Sequence, residues 1–434
     1  MSDLVVHGGY PLKGEIIPSA NKNAVLPVLC ATLLSKEPIT LHNVPDITDV
    51  RKILKFFESL GSIVKLDSKD DASSTLYVHH SDDISAKQAT LPQGMRSSVM
   101  LVPALLHRFG EVRIESDVKG CSLGSREIDP HMELLKGFGA DIEKTPEAVI
   151  IRKPANFTSS DQWLDYASVT TTENFILCAA VASGESSLTN AASEPHVQEF
   201  CDFMHKIGVA IDGKGTSRLH VTGGQCIAGT EFTFVEDFHE VTTFLAISAV
   251  TGGDIVVKNT QPKHFPLIDR TFAKFGVQLE HKDGWSKACI PNGLKVQPPF
   301  TQYILPKIEA APWPYFPVDL LPMCVALGVV AEGNMMFWNK VYEGALGWTS
   351  ELSKFGAHVM QCDPHRIVTY GGKKLTPAHV ESPYIIRAAI AMFVIAASIE
   401  GKSVIKNADP IKRAHPLFVE KLNALGAKVE WIDS

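Results

Sequence analysis

A chain of 434 residues with 45% hydrophobic and 21% charged residues has the composition of a globular protein and is long enough for two or more domains. Its formal net charge of −7 argues against nucleic-acid binding, although an acidic protein can hold an anionic substrate in a locally basic pocket. The N-terminus has no basic segment followed by an apolar run, and the longest apolar stretches are too short to span a bilayer. We therefore expect a cytoplasmic protein that binds neither nucleic acid nor membranes.

The eight cysteines are scattered along the chain and form no C-x-x-C pair. Most of them lie in apolar segments, as Cys178 does in the stretch 175–180. This pattern is typical of reduced, buried thiols. The sixteen histidines show no clustering of the kind that metal ligands require, so we expect neither a metal nor a cofactor.

One pattern recurs six times along the chain: an amphipathic helix, an apolar residue, a glycine and a short strand. Each glycine is expected to end its helix in a left-handed cap before the chain turns into the strand. A more apolar helix and an alternating strand precede each copy. Each repeat is thus predicted to be a small α/β layer pair that cannot close its own core. The six glycines, about 70 to 80 residues apart, are Gly61, Gly139, Gly208, Gly276, Gly356 and Gly426.

Six repeats predict an α+β fold with two similar domains of three repeats each. The division is expected near residue 235, where the third repeat ends. The N-terminal strand, Leu4 to His7, has no partner in the first three repeats, so we assign it to the second domain. The predicted domains are residues 22–235, and residues 1–21 with 236–434. A cleft between paired domains is a common ligand site, and we expect the active site there.

A glycine-flanked stretch in the first predicted domain, residues 117–131, combines a thiol with an arginine. Gly120 and Gly124 permit backbone angles that a loop needs if it closes over a ligand and reopens. Cys121 can donate a proton or attack a carbon, and Arg126 is a fixed cation for a phosphate or carboxylate. From these residues alone, a surface loop with an unremarkable cysteine is an equally good interpretation.

Four segments carry a resemblance to a known family: residues 19–24 (SANKNA), 94–98 (GMRSS), 120–131 and 316–319 (FPVD). With the six repeats, the chain resembles the enolpyruvyl transferases over essentially its whole length, and most closely the members that act on a UDP-sugar. The resemblance implies an inside-out α/β barrel in each domain. It also implies transfer of the enolpyruvyl group of phosphoenolpyruvate to a nucleotide hydroxyl, with release of phosphate, as in peptidoglycan synthesis.

The resemblance also implies the site residues. Cys121 matches a loop cysteine associated with proton delivery and covalent capture, Asp319 a carboxylate beside the attacking hydroxyl, and Lys22 a catalytic cation. The residues implied in binding phosphoenolpyruvate are Lys22, Arg96, Arg126, Arg387 and Arg413. The acceptor that the resemblance implies is UDP-N-acetylglucosamine, which would react at its 3-hydroxyl. The residues implied in binding this acceptor are Asn23, Glu127, Ile128, Asp129, Pro130, Ser168, Val169, Thr170, Asp319 and Val341.

The chemistry of these residues agrees with that assignment. Phosphoenolpyruvate is a compact polyanion, so its pocket needs several fixed cations. Addition requires one acid to protonate the methylene carbon and one base to take the hydroxyl proton, for which Cys121 and Asp319 are the predicted pair. Structural roles stay open for three residues: Arg387 could serve a buried ion pair, Asp319 could cap a helix, and Arg96 could lie on the surface.

Four positions depart from the family pattern. The family has an arginine where this chain has Ala345, and usually an aspartate where it has Ile385. Thr170 stands where the UDP-sugar enzymes have glycine, and Phe238 replaces a basic residue. Three hypotheses therefore remain: a UDP-N-acetylglucosamine transferase, an enolpyruvyl transferase for another nucleotide such as UMP in secondary metabolism, and a non-catalytic paralogue that binds a sugar nucleotide. The shikimate-phosphate branch is less favoured because it lacks the loop cysteine and the nucleotide segments.

Overall fold

The structure is a computed structural model. It describes residues 2–68, 73–85, 91–92, 95–115, 128–155, 157–301 and 303–433, with the backbone alone for Ser68 and Arg96. The predictions made for Cys121, Arg126 and Glu127 lie outside the described residues.

The described residues alternate between helices and short strands. The α-helices are α1 (Lys22–Thr32), α2 (Thr48–Leu60), α3 (Val102–Phe109), α4 (Asp129–Gly137), α5 (Val169–Val181), α6 (Pro195–Lys206), α7 (Phe238–Thr251), α8 (Pro266–Ala273), α9 (Leu321–Val330), α10 (Ile386–Ala397) and α11 (Phe418–Ala424). Short 3-10 helices cover Arg96–Leu101, Pro262–His264, Val318–Leu320, Gly347–Phe355 and Asp409–Arg413. The strands are β1 (Ser2–Gly8), β2 (Lys13–Ile16), β3 (Ile39–Pro45), β4 (Ile63–Ser68), β5 (Ser73–His79), β6 (Glu111–Glu115), β7 (Asp141–Lys144), β8 (Ala148–Arg152), β9 (Asp161–Trp163), β10 (Gly184–Thr189), β11 (Ala210–Asp212), β12 (Arg218–Gly223), β13 (Thr230–Thr233), β14 (Asp254–Lys258), β15 (Gln278–Lys282), β16 (Trp285–Cys289), β17 (Lys307–Ala310), β18 (Gly333–Asn339), β19 (His358–Asp363), β20 (Arg366–Gly371), β21 (His379–Glu381), β22 (Gly401–Lys406) and β23 (Lys428–Asp433).

These elements form two compact units. The first unit lies within residues 20–235, and the second comprises residues 2–19 and 236–433. Each unit has its own hydrophobic core. The described residues thus have the α+β architecture of two similar units, as the six repeats predicted.

The first unit has three sheets, with strand orders β13-β3-β5-β4, β6-β8-β7 and β11-β12-β10-β9. Its helices α1, α3 and α5 are apolar over most of their surface and lie buried in the core. The second unit repeats this plan with the orders β15-β16-β14-β2, β17-β18-β20-β19 and β21-β22-β1-β23. There α7, α9 and α10 pack against one another. A helix that is hydrophobic all round must be covered on all sides, which is why these helices occupy the centre of each unit.

Sheet registers tie distant parts of the chain together. Strand β13 runs parallel to β3, with Phe232 opposite Leu41. Strand β1 lies between β22 and β23, with Leu4 opposite Ile405 on one side and Trp431 on the other. The first strand of the chain therefore completes the last sheet of the second unit.

The six repeat glycines all have a left-handed backbone, with φ of 93° at Gly61 and 91° at Gly426. The predicted caps are confirmed at these positions. One outer helix differs from the expected α-helical form, because residues 347–355 form a 3-10 helix. There the hydroxyls of Ser350 and Ser353 donate to carbonyls three residues earlier. Such side-chain bonds compete with the i→i−4 backbone pattern.

No helix among the described residues is both long enough and apolar enough to cross a membrane.

Candidate active site

Lys22 begins α1 and is held by a carboxylate from the next helix. Asn21 caps α1 by accepting the N–H of Asn23 at 2.9 Å. Nζ of Lys22 lies 2.5 Å from Oδ2 of Asp49, which is in the first turn of α2. The lysine side chain is 16% exposed and the aspartate side chain 2%. The pair therefore fixes a partly accessible cation at the N-terminal end of a buried helix.

Other predicted residues of the first unit also lie where helices begin. Arg96 begins the 3-10 helix that leads into α3, and this 3-10 helix packs against both α1 and α5. The amide of Asn174, in α5, donates to the carbonyl of Val99 at 3.2 Å. Lys22, Arg96 and Ser168 thus mark the starts of three helical segments of one core.

The two predicted acceptor-binding segments of this unit lie side by side. Ser168 caps α5 by accepting the N–H of Thr171 at 3.4 Å, and Val169 and Thr170 form the first turn of that helix. Asp129 and Pro130 begin α4, with Ile128 at its N-cap position. The segments are joined because Nε2 of His131 lies 3.2 Å from the hydroxyl oxygen of Thr170. Free N–H groups at a helix start favour a bound anion.

In the second unit, Asp319 and Arg387 form an ion pair. Nε of Arg387 lies 3.9 Å from Oδ2 of Asp319, with side-chain exposures of 14% and 38% respectively. Arg387 sits in the first turn of α10, and Asp319 in the 3-10 helix before α9. The alternative role of Asp319 as a helix cap does not hold, because Leu320 occupies the N-cap position of α9. Arg387 thus has the anionic partner that its apolar segment requires.

Buried charged groups lie behind this pair. Oε1 of Glu240, in the first turn of α7, lies 2.7 Å from Nζ of Lys421. Burial opposes ionisation of Glu240, but Lys421 and His415 outweigh it and lower the pKa of Glu240 to about 2. At the cap of α7, Asp237 lies 2.9 Å from Nδ1 of His239. Burial would raise the pKa of Asp237, yet His239 and Arg387 hold it well below its usual range.

The remaining predicted residues of the second unit are placed as follows. Arg413 ends the 3-10 helix Asp409–Arg413 and is half-buried. The N–H of Val341 donates to the side chain of Asn339 at 3.0 Å, at the end of β18. Ile385 occupies the N-cap position of α10 and provides no side-chain cap bond.

Sequence reasoning missed three residues of these clusters: Asp49, Glu240 and His415. Each is buried. Asp49 contacts Lys22, His415 contacts Arg387, and Glu240 lies beside His415. A charged residue within an otherwise apolar helix, as Glu240 is, was the one available signal. Within the described parts of the chain, no group of His, Cys, Asp and Glu residues is arranged to hold a metal ion.

A family model described as EPSP synthase (3-phosphoshikimate 1-carboxyvinyltransferase) matches residues 6–422. The chain belongs to this family of enolpyruvyl transferases. It is accordingly a transferase of the 1-carboxyvinyl group, as the resemblance implied.

Relatives of similar length support the assignment. The UDP-N-acetylglucosamine 1-carboxyvinyltransferase of Borreliella burgdorferi is 33% identical over 434 residues, with 100% of both chains covered. The protein of the same name from Treponema denticola is 34% identical, with 99% of both chains covered. Among solved structures, the enolpyruvyl transferase NikO from Streptomyces tendae matches with a TM-score of 0.83 at 20% identity, covering 100% of this chain and 99% of that one. That structural likeness confirms the fold.

Proposed function

We propose that this enzyme transfers the enolpyruvyl group of phosphoenolpyruvate to the 3-hydroxyl of UDP-N-acetylglucosamine, in the cytoplasm, as a step of peptidoglycan synthesis. The observation that carries the choice of acceptor is the 33% identity to a UDP-N-acetylglucosamine 1-carboxyvinyltransferase along the full length of both chains. The geometry of each unit supports the roles that follow.

Cations that are paired with carboxylates suit the binding of phosphoenolpyruvate. Lys22 is paired with Asp49, and Arg387 with Asp319. Each carboxylate keeps its cation near the site, so less side-chain freedom is lost when the substrate binds. Fixed cations also stabilise the negative charge that the phosphate carries away when it leaves. We assign Arg96 and Arg413 to the same polyanion.

Asp319 is suited to the role of base. A neighbouring guanidinium favours the ionised carboxylate, which is the form that can accept the proton of the attacking hydroxyl. The side chain of Asp319 is 38% exposed, so a substrate can reach it. Addition of the oxygen to C2 of phosphoenolpyruvate, with a proton added to C3, gives a tetrahedral adduct. Loss of phosphate and of the C3 proton then leaves the enol ether.

The helix starts of the first unit suit the diphosphate of the acceptor. Ser168 and Thr170 provide hydroxyls at the first turn of α5, where the helix dipole favours an anion. Asn23 lies in the first turn of the neighbouring helix α1. We assign the nucleotide to the segments 128–130 and 168–170.

A second candidate is an enolpyruvyl transferase for another nucleotide. It is favoured by the departures from the family pattern, because Ile385 leaves the N-cap position of α10 without a side-chain cap and Ala345 carries no charge. Phe238, at the start of α7, packs its ring 3.9 Å from that of His239 in place of a basic residue. If the second candidate is right, the acceptor would carry fewer groups for the residues at positions 238, 345 and 385 to bind.

The proposed function is tested by identifying the product. The purified protein is incubated with phosphoenolpyruvate and UDP-N-acetylglucosamine, and vinylic protons on the sugar are sought by NMR together with released phosphate. We expect equimolar enol ether and phosphate, and loss of both with Asp319→Asn. Phosphate without the enol ether would contradict the proposal, because it would indicate hydrolysis of phosphoenolpyruvate.

A further inference from the structure

His415 lies directly behind Arg387 and is 2% exposed. Its Nε2 is 3.1 Å from Nη1 of Arg387. Its Nδ1 is 3.8 Å from Oε2 of Glu240, which is beyond hydrogen-bonding distance. Within the described part of the chain, no hydrogen bond reaches Nδ1.

The contact with Arg387 determines the protonation state of the His415 ring. A guanidinium has five N–H donors and no acceptor, so Nε2 of the imidazole must be the acceptor. An imidazole nitrogen that accepts carries no proton, and the single ring proton is therefore on Nδ1. That proton faces the carboxylate of Glu240. A second proton, on Nε2, would set a donor against a donor and drive Arg387 away.

The short contact orients Arg387 more tightly than its ion pair does. Asp319 lies at 3.9 Å and is 38% exposed, a separation at which an ion pair gives little directional constraint. His415 is buried and holds Nη1 at 3.1 Å. Because the guanidinium is planar and rigid, fixing one N–H fixes the directions of the others.

We propose that His415 is the positioning residue for Arg387: its neutral ring accepts one guanidinium N–H and directs the remaining ones to the substrate anion. The inference rests on the proposed function, in which Arg387 binds phosphoenolpyruvate. His415 is buried and acts through Arg387.

Burial and the charges around His415 keep its ring in the neutral form that the contact with Arg387 requires. Glu240 of α7 and Asp237 at the N-cap of that helix face it, Arg387 faces it from α10, and Lys421 of α11 neutralises Glu240. Burial is the largest influence and lowers the pKa of His415, while Glu240 raises it and Arg387 lowers it further. The pKa is therefore below the usual value, and the ring is neutral at pH 7.

Two substitutions separate the accepting atom from the packing of the ring. His415→Phe keeps a planar ring and removes the acceptor, whereas His415→Gln offers a carbonyl oxygen near the position of Nε2. We expect His415→Phe to raise KM for phosphoenolpyruvate about tenfold or more, the usual effect of losing a hydrogen bond to a charged group. KM for the acceptor should change less than about twofold. His415→Gln should recover most of the loss, and His358→Phe, at an exposed histidine of β19, should match the wild type.

A pH profile gives a second readout that a packing role would not change. As pH falls and His415 gains its second proton, kcat/KM for phosphoenolpyruvate should decline more steeply in the wild type than in His415→Gln, because glutamine does not titrate. Because the wild type and His415→Gln act on the same substrate, comparing their pH profiles cancels the effect of ionisation of the substrate itself. This comparison also decides the matter if His415→Phe does not fold.

The outcomes separate this inference from the proposed function. If the wild type releases phosphate with no acceptor, the proposed function fails, and calorimetric binding of phosphoenolpyruvate to wild type and His415→Phe still tests the positioning role. Equal affinity for phosphoenolpyruvate in both proteins would overturn the inference. Identical acid limbs for wild type and His415→Gln would overturn it as well.

Discussion

The ammonium nitrogen of Lys22 lies 2.5 Å from the carboxylate of Asp49, a residue 27 positions later whose side chain is 2% exposed. A carboxylate this deeply buried needs a cationic partner, and Lys22 is a cation that remains 16% exposed. The two residues therefore hold each other: Lys22 stabilises the buried charge, and Asp49 sets the direction of the ammonium group.

Asp49→Asn should weaken the binding of phosphoenolpyruvate. The amide cannot balance the lysine charge, so the ammonium group moves out of position, and we expect kcat/KM to fall about tenfold or more. Steady-state kinetics measure the change. Asp46→Asn is the matched control, because Asp46 pairs with the exposed Arg51 and such surface pairs contribute little. Equal kinetics for the two variants would rule out a role for Asp49 at the site.

Lys421→Met should destabilise the second unit strongly. Lys421 and Glu240 are 10% and 3% exposed, and removing one partner of a buried pair leaves an uncompensated charge that costs about 3–5 kcal/mol. Urea denaturation followed by circular dichroism measures the loss of unfolding free energy. Lys354→Met removes an exposed pair with Glu351 and should cost less than about 1 kcal/mol. If both variants lost a similar amount of unfolding free energy, burial would not be what makes the Lys421–Glu240 pair important for stability.

Ser168→Ala should lower the stability of the protein and weaken the binding of the acceptor. The hydroxyl of Ser168 caps α5 through the N–H of Thr171, and loss of such a cap costs about 1 kcal/mol. If the diphosphate binds at this helix start, KM for the acceptor should rise while KM for phosphoenolpyruvate stays constant. Ser168→Thr keeps a capping hydroxyl and should restore both properties. An unchanged acceptor KM in Ser168→Ala would exclude this helix start from the acceptor site.

The first unit should lose stability in mild acid through His80. Burial, with Arg108 and His79, lowers the pKa of His80 to about 3, whereas the unfolded chain has a histidine pKa near 6.5. Between these values the unfolded chain binds a proton that the folded chain does not, so stability falls as pH falls from 6.5 towards 3.

The contribution of His80 can be isolated by substitution. At pH 5 it amounts to about 2 kcal/mol, so His80→Asn should flatten the dependence of unfolding free energy on pH between 7 and 5 by about that amount. His205→Asn, at an exposed position of α6, should leave the slope unchanged. The same slope in wild type and His80→Asn would show that burial of this histidine is not the cause.

Local patterns in the sequence predicted much of the fold. The repeat glycines and the all-apolar helices have short-range signatures, and both are found in the structure at Gly61 and in α10. The 3-10 form of residues 347–355 was missed, and hydroxyls such as that of Ser350 bond to carbonyls within it. Serine in a helical pattern gives no sign of which carbonyl it will bond.

The candidate site residues were predicted from motifs, whereas the buried partners Asp49 and His415 were not. Lys22, Asp319 and Arg387 stand in recognisable segments. Asp49 stands in the first turn of a helix, where an acidic residue is favoured for local reasons alone, so nothing in its surroundings suggests a lysine partner. His415 is 28 residues from Arg387, and only the tertiary fold brings the two together.

The most direct measurement is the initial rate of phosphate release from phosphoenolpyruvate with UDP-N-acetylglucosamine, compared with UMP and with shikimate 3-phosphate. We predict fast release with the sugar nucleotide and little with the other two acceptors. The departures from the family pattern at Ala345 and Ile385 would then be compatible with UDP-N-acetylglucosamine as the acceptor. Release with UMP alone would contradict the proposed acceptor and assign the enzyme to another nucleotide.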